Sequence, residues 1–232
     1  MKQHKSILRL ACLSLLFLAL GPISASAKCT DRPGPGVDWS RCHKTHRILA
    51  NENLAGVRFE RADLTATDLM GANLEGAVLT EANITRTRLR RANLRGATLA
   101  KAQGGHADFE EADMAGAILV KAELPRANMA RANLANADLS KSGLGRAVLA
   151  GANLRGANLS KAILARVDFT SANLNGADLS GAFLLLARLA GVDLSETTGL
   201  VQEQLNLACG NDDTKLPPGL SKPASWPCPT DE

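Results

Sequence analysis

Residues 151–160 read GANLRGANLS, one five-letter phrase, A-N-L-x-G, almost repeated within ten residues. A helix returns its buried side chains every 3.6 residues and a strand every 2, so a period of five belongs to neither. The period reaches far beyond this stretch. From Leu54 to Leu194 every fifth residue is Leu, Ile, Phe or Met except Gly104, a regularity that defines the repeat. Two residues before each stands a small residue, nearly always Ala, as in Ala72, Ala77, Ala82 and Ala92. The exceptions, such as Thr67, Thr87, Ser142 and Val167, are small or β-branched. Residues two apart face the same side of an extended chain. Each pentapeptide is therefore expected to be a very short strand with one large and one small side chain turned inward. Two residues remain to turn a corner.

A second period closes the coil. Asn53, Asn73, Asn93, Asp113, Asn133, Asn153, Asn173 and Asp193 recur every twenty residues, just before the large apolar position. Two residues after that position come Gly56, Gly76, Gly96, Gly116, Asn136, Gly156 and Gly176. Gly, and after it Asn, tolerates the positive φ that a type II turn requires. The same corner thus returns every twenty residues, and four pentapeptides make one turn of a four-sided prism. Successive coils should pair as parallel strands, so residues 50–194 make about seven coils and a rod roughly 34 Å long. Leu columns fill the inside. The Asn column can form a ladder of stacked amides. Only the two ends carry unpaired backbone groups, and they need covers.

The pentapeptides ADLTA (62–66), ANLEG (72–76), ANLRG (92–96), ADLSK (137–141), ANLSK (157–161) and ADLSG (177–181) follow A-(D/N)-L-x-x. In these residues the chain resembles the pentapeptide repeat family. The resemblance implies an all-β fold, a right-handed quadrilateral parallel β-helix, and the handedness comes from the resemblance alone. Some members of that family resemble B-form DNA and inhibit DNA gyrase. That role goes with an acidic rod in the cytoplasm, and this chain departs on both counts.

Residues 1–27 are expected to lie outside the fold. Lys2, Lys5 and Arg9 precede the apolar run Leu10–Leu20, and Ala25-Ser26-Ala27 is an A-x-A cleavage site. This is the pattern of a secretory signal peptide cleaved after Ala27, with a run too short to span a bilayer. Cys12 lies inside the run with Arg9 three residues before it, which does not suit lipoprotein acylation. The expected location is periplasmic or secreted. The whole chain has 27 Lys+Arg against 23 Asp+Glu, and losing the three leader cations leaves 24 against 23. Net charge therefore selects neither a nucleic-acid binder nor an acidic mimic.

Residues 28–49 are expected to form an N-terminal cap, 50–196 the β-helix, and 197–232 a C-terminal helix with an extended tail. The segment CTDRPGPGVDWSRC (29–42) is rich in Pro and Gly, and Trp39 is expected to lid the Leu stack. LVQEQLNLACG (200–210) reads as a short helix with Val201, Leu205 and Ala208 on one face and Gly210 as its stop. The tail TKLPPGLSKPASWPCP (214–229) should fold back with Trp226 over the helix or the last coil. Four cysteines in an exported chain suggest two disulfides. Bridged Cα atoms lie within about 7 Å, so a long rod pairs Cys29 with Cys42 and Cys209 with Cys228, each locking one end.

No catalytic constellation is evident, and no enzyme activity, cofactor or metal is expected. His43 and His46 have H-x-x-H spacing, which suits a metal only on a helix. Two outward columns stand out when the sequence is folded at twenty residues. One holds Arg61, Glu81, Lys101, Lys121, Lys141 and Lys161; the other holds Arg86, His106, Arg126, Arg146 and Arg166. Both flank the face opposite the Asn column. Like charges about 5 Å apart in water repel by roughly 0.8 kcal/mol. The candidate anion-binding stripe is Lys101, Lys121, Lys141, Lys161, Arg86, Arg126, Arg146 and Arg166. Such a stripe suits an anionic envelope polymer, an acidic glycan or lipopolysaccharide. The alternative is that corners tolerate any solvated charge, with Asp108, Glu123 and Asp168 offsetting the stripe. On the same face Gly104, followed by Gly105, should leave a void or a bulge, with Phe109 leaning in to fill it. Ile163, Phe183, Leu185 and Leu186 should point outward near the last coils, as a seat for the tail or a partner surface. These features together describe a non-enzymatic exported scaffold whose partner is a protein or an anionic envelope polymer. Nucleic acid is not favoured.

Overall fold

The backbone of one pentapeptide accounts for the whole architecture, and residues 73–77 show how. Leu74 N–H donates to Asn93 O at 2.7 Å and Gly76 N–H to Arg95 O at 2.9 Å, both one coil ahead. Asn73 N–H donates to Glu52 O at 2.9 Å, one coil behind. Ala77 N–H closes a turn on Leu74 O at 3.0 Å. The remaining amide, Glu75 N–H, is accepted by Asn73 Oδ1 at 3.2 Å. Every N–H of the unit is thus used, as a buried backbone demands. The same bond recurs where Asp63 accepts from Thr65 N–H, Asp138 from Ser140 N–H, Asn158 from Ser160 N–H and Asp193 from Ser195 N–H. It gives the Asp/Asn position a turn-capping role beyond surface decoration.

The computed structural model describes residues 29–227; residues 1–28 and 228–232, including the expected leader and Cys228, lie outside the described residues. Parallel bridges link Asp38, Arg58, Val78, Thr98, Ile118, Asp138, Asn158, Asp178 and Thr198 without a break. Eight spacings of about 4.8 Å make this column about 38 Å long. The ladder begins at Asp38, earlier than the boundary expected at residue 50. Residues 38–49 already form coil rather than a separate cap. Trp39, Lys44 and Leu49 take the large inward positions and Cys42 a small one, all four buried. The repeat is disguised there because Trp, Lys and Cys stand where Leu and Ala would.

Positive φ occurs at all four corners, not only in the Gly and Asn column. Arg61 (55°), Lys121 (57°), Arg126 (57°) and Arg131 (57°) are examples. A non-Gly residue in this region costs roughly 1–2 kcal/mol. The cost is sustained because each corner is held twice: Arg61 N–H bonds Thr80 O and Ala62 N–H bonds Phe59 O, both at 2.9 Å.

The Leu columns are buried throughout the rod. Where a hydroxyl replaces Ala, it donates to a buried carbonyl: Thr67 to Lys44 O at 2.6 Å, Thr87 to Leu64 O at 2.8 Å, Ser142 to Leu139 O at 2.7 Å. The void or bulge expected at Gly104 is not there. The bridges Asn83–Gln103 and Gln103–Glu123 run through it in register. A Cβ on Gly104 would lie 2.5 Å from Leu124 Cδ2 and 2.9 Å from Ile84 Cγ1. The rungs above and below fill the space, and Phe109 occupies its own inward position, fully buried.

Both ends are closed. At the N-terminal end Cys29 and Cys42 form a disulfide with Cα atoms 5.5 Å apart. Trp39 packs on Phe59 with ring centroids 5.6 Å apart. Above it Lys44 Nζ sits 3.6 Å from the Trp39 ring centroid and donates to Cys29 O at 2.8 Å. Burial pushes the Lys44 ammonium below its usual range. At the other end α1 (Gln202–Leu207) is inserted into the final coil. Thr198 pairs twenty residues back with Asp178, Cys209 twenty-one back with Arg188, and Lys215 twenty-two back with Asp193. Gln204 Nε2 donates to Leu179 O and Ala182 O, both at 2.8 Å, and Leu205 is buried beneath the core. Val201 differs from expectation: it is the extended residue before α1, and its side chain is exposed. Gly210 is not the helix stop, since α1 ends at Leu207. Its lack of a side chain admits the Trp226 ring, whose Nε1 donates to Ala208 O at 2.7 Å. Cys209 is disulfide-bonded; its expected partner, Cys228, lies outside the described residues. Among the described residues no helix is long and apolar enough to cross a membrane.

Candidate anion-binding face

The face opposite the Asn column carries the outward row Asp63, Asn83, Gln103, Glu123, Gly143, Ile163 and Phe183, bridged rung to rung. Its two edges are corners. Arg61, Glu81, Lys101, Lys121, Lys141 and Lys161 stand on one, all at positive φ. Arg86, His106, Arg126, Arg146 and Arg166 stand on the other, again at positive φ. The coil therefore brings together all eight candidate stripe residues, at a spacing of about 4.8 Å along each edge.

The stripe is not uniform. Glu81 takes Arg61 at 2.7 Å and Lys101 at 3.3 Å, so Lys101 is already engaged. The hydrogen bonds from Arg61 and Lys101 lower the Glu81 carboxyl below its usual range. Lys121, Lys141, Lys161, Arg86, Arg126, Arg146 and Arg166 form no ion pair with any described carboxylate. The expected offset is mostly elsewhere. Asp108 and Asp168 belong to the neighbouring face, in the row Arg88–Asp108–Asn128–Val148–Asp168–Arg188. Asp108 accepts from Asn128 Nδ2 at 3.0 Å, and Asp168 accepts from Thr170 Oγ1 at 2.6 Å. Of the three, Glu123 alone stands between the basic edges, its carboxylate folded over Gly143, where a Cβ would collide with it.

Another corner of the same rod shows what merely tolerated charge looks like. Arg91 meets Glu111 at 2.6 Å, Arg90 meets Glu110 at 2.9 Å, and Arg131 bridges both, lying 2.9 Å from Glu111. There the sign alternates rung by rung, and Arg91 followed by Arg131 holds the Glu111 carboxyl down. Beyond Lys101 the stripe has no such paired acid among the described residues, and one edge away they are present. The Asn column forms the ladder expected of it, Asn73 to Asn53, Asn93 to Asn73 and Asn153 to Asn133, each at 3.0 Å.

His43 and His46 do not lie on a helix: His43 is a bridge residue and His46 a turn residue. His43 Nδ1 lies 3.8 Å from Asp63 Oδ2, and His46 is a corner residue with φ 56°. Among the described residues no three His, Cys, Asp or Glu side chains are grouped to hold a metal. Ile163, Phe183, Leu185 and Leu186 are exposed, as expected. They are not a seat for the tail through residue 227: Trp226 packs on Gly210, and Ser221 bonds Gln202. Sequence reasoning missed the turn-capping bond of Asp/Asn and the inward Lys44. The first had a signal, an Asp or Asn two residues before many of the corner pairs, such as Asp63, Asn73, Asp138 and Asn158. The second had none, because a Lys gives no sign of facing inward.

The family model for pentapeptide repeats matches this chain in 8 copies, over residues 45–76, 58–96, 72–103, 107–146, 147–185 and 168–198. Among solved structures, the chain is similar to HetL, a pentapeptide repeat protein involved in heterocyst differentiation regulation from the cyanobacterium Nostoc sp. strain PCC 7120. The two are 28% identical, with 80% of this chain and 94% of HetL covered and a TM-score of 0.33. Full-length QnrB1, a plasmid-mediated fluoroquinolone resistance protein, is 17% identical over 82% of this chain and 92% of its own, with a TM-score of 0.46. A pentapeptide repeat protein from the Arabidopsis thaliana thylakoid lumen is 26% identical over 53% of this chain and 80% of its own, with a TM-score of 0.28. No curated protein matches.

Proposed function

Because the chain belongs to the pentapeptide repeat family, we propose that it is an exported, non-enzymatic rod that binds anionic envelope material along the face between its two basic edges. One observation carries the reading: seven corner cations there form no ion pair with any described carboxylate, whereas the arginines at the Arg91–Glu111–Arg131 corner are paired. Stacked like charges repel, so a polyanion laid along the two edges relieves a cost inherent in the free protein. Export to the periplasm or beyond is supported by the leader pattern with its Ala25-Ser26-Ala27 site and by the Cys29–Cys42 disulfide, which suits an oxidising compartment. Cys209 is assigned to Cys228 on the same reasoning. A gyrase-directed DNA mimic is not proposed, since the binding face is basic. The test is retention on heparin resin. The exported protein is expected to bind at low salt and elute as salt rises. The Lys121→Gln, Arg126→Gln, Lys141→Gln, Arg146→Gln variant should run through. Equal retention of both proteins would remove the stripe as the site. Mass analysis of the exported chain should place its first residue at Lys28.

A further inference from the structure

Five exposed large apolar side chains gather at one place, the C-terminal end of the basic face: Ile163, Phe183, Leu185, Leu186 and Leu207. The others among the described residues, Ile48, Met70, Ile118 and Val148, are scattered over separate coils, and Val201 precedes α1 in extended backbone. Register gathers the five. Ile163 and Phe183 are bridged neighbours in the outward row. Leu186 N–H donates to Leu207 O at 2.6 Å. Ile163 is 52% exposed and Phe183 44%.

The fold does not ask for these residues. Leu186 takes the corner that Arg126, Arg146 and Arg166 take on earlier coils, at φ 54°, where a leucine is strained and its side chain meets water. Leu185 stands where Thr85, Gly105, Pro125 and Gly145 stand on other coils. Ile163 and Phe183 continue a row that is Asn, Gln and Glu further back. The described tail leaves them uncovered. Immediately behind them, about one and two rungs along each edge, come Lys161 and Arg166, then Lys141 and Arg146. An apolar tip flanked on both sides by cations that pair with no described carboxylate is the pattern that engages an anionic bilayer, cations at the headgroups and apolar side chains at the acyl boundary.

We infer that this end of the rod docks on the surface of an anionic lipid membrane, with Phe183, Ile163 and Leu186 inserted and Lys141, Lys161, Arg146 and Arg166 on the headgroups. The inference rests on the anion-binding reading above and narrows its partner to a lipid surface. It is tested by cosedimentation of the exported protein with phosphatidylglycerol/phosphatidylcholine vesicles and with phosphatidylcholine alone. Binding only to the anionic vesicles is expected. Each cation facing an anionic membrane contributes roughly fivefold in affinity, so changing the four to Gln should lower binding more than a hundredfold. Phe183→Ser with Leu186→Asn should lower it about tenfold or more while heparin retention stays unchanged. In a Phe183→Trp variant the emission should shift to the blue on anionic vesicles, and in Val148→Trp, on the neighbouring face, it should not. Heparin retention without vesicle binding overturns the lipid inference and leaves the anion-binding face standing; loss of both removes both. Equal binding to the two vesicle types, or indifference to the Phe183 and Leu186 changes, also overturns it. So does a concentration-dependent dimer that Phe183→Ser abolishes in protein that ignores vesicles, which would make a second copy the occupant.

Discussion

At the scale of single residues, two positions separate pattern from packing. Gly104 breaks the apolar column, and the repeat pattern alone asks for Leu there. The structure points the other way, because Ile84 and Leu124 already fill the gap to within 2.5 Å of where a Cβ would stand. Gly104→Leu is expected to destabilise by about 1–3 kcal/mol, read as a lower midpoint in urea. A rise in the midpoint would show that space remains. Asn133 and Asn158 look equivalent in the repeat but are not. Asn133 Oδ1 accepts from Ala135 N–H at 3.3 Å and from Asn153 Nδ2 at 3.0 Å, and its own amide donates to Asp113 at 2.9 Å. Asn158 caps its turn through Ser160 N–H at 3.0 Å, and its side chain makes no rung-to-rung bond among the described residues. A hydrogen bond contributes about 1 kcal/mol net. Asn133→Ala should therefore cost more than Asn158→Ala in thermal denaturation, and equal losses would mean that the ladder contributes nothing.

At the scale of the element, the C-terminal insertion illustrates how a coil ends. α1 replaces a strand, and the chain rejoins the ladder at Cys209 and Lys215. Lys215 N–H bonds Val192 O at 3.1 Å, and Lys215 Nζ lies 2.9 Å from Asp193 Oδ2. Hydrogen bonding from Ser195, then Lys215, lowers the Asp193 carboxyl from 3.8 to about 2. A depressed carboxyl stabilises the folded state above its unfolded value and loses that contribution as pH falls through the folded one. The last rung should therefore loosen between about pH 4 and 2, visible as faster amide exchange at Lys215, and Asp193→Asn should flatten the dependence there. Exchange at Lys215 that ignores pH in this window, after correction for intrinsic rates, would remove Asp193 from the account.

At the scale of the whole molecule, each coil touches only its neighbours, so stability is a sum along one axis and opening starts at the ends. The Cys29–Cys42 loop holds the first coil, and removing such a loop costs roughly 2–3 kcal/mol. Cys29→Ser with Cys42→Ala should speed amide exchange at Trp39 and Phe59 and leave Leu134 and Leu154 unchanged. Uniform acceleration would mean that the rod opens as one unit.

The arrangement of four walls was legible from letters alone, because every Leu at period five and every Gly or Asn at period twenty reports a local requirement, an inward side chain or a positive φ. The basic edges were legible for the same reason, being a matter of register. What lay beyond the letters was whatever depends on a neighbour twenty residues away. Asp108 and Asp168 could be counted against the stripe, but only the coil showed them spent on another face. Lys44 could not be seen to face inward until Trp39 and the Cys29 carbonyl were found beside it. The coil, its corners and its charged edges follow from the letters, since a repeat states its own periodicity. Which charges are free, which gap is filled and which apolar end stays bare follow from contacts between rungs that no single rung contains.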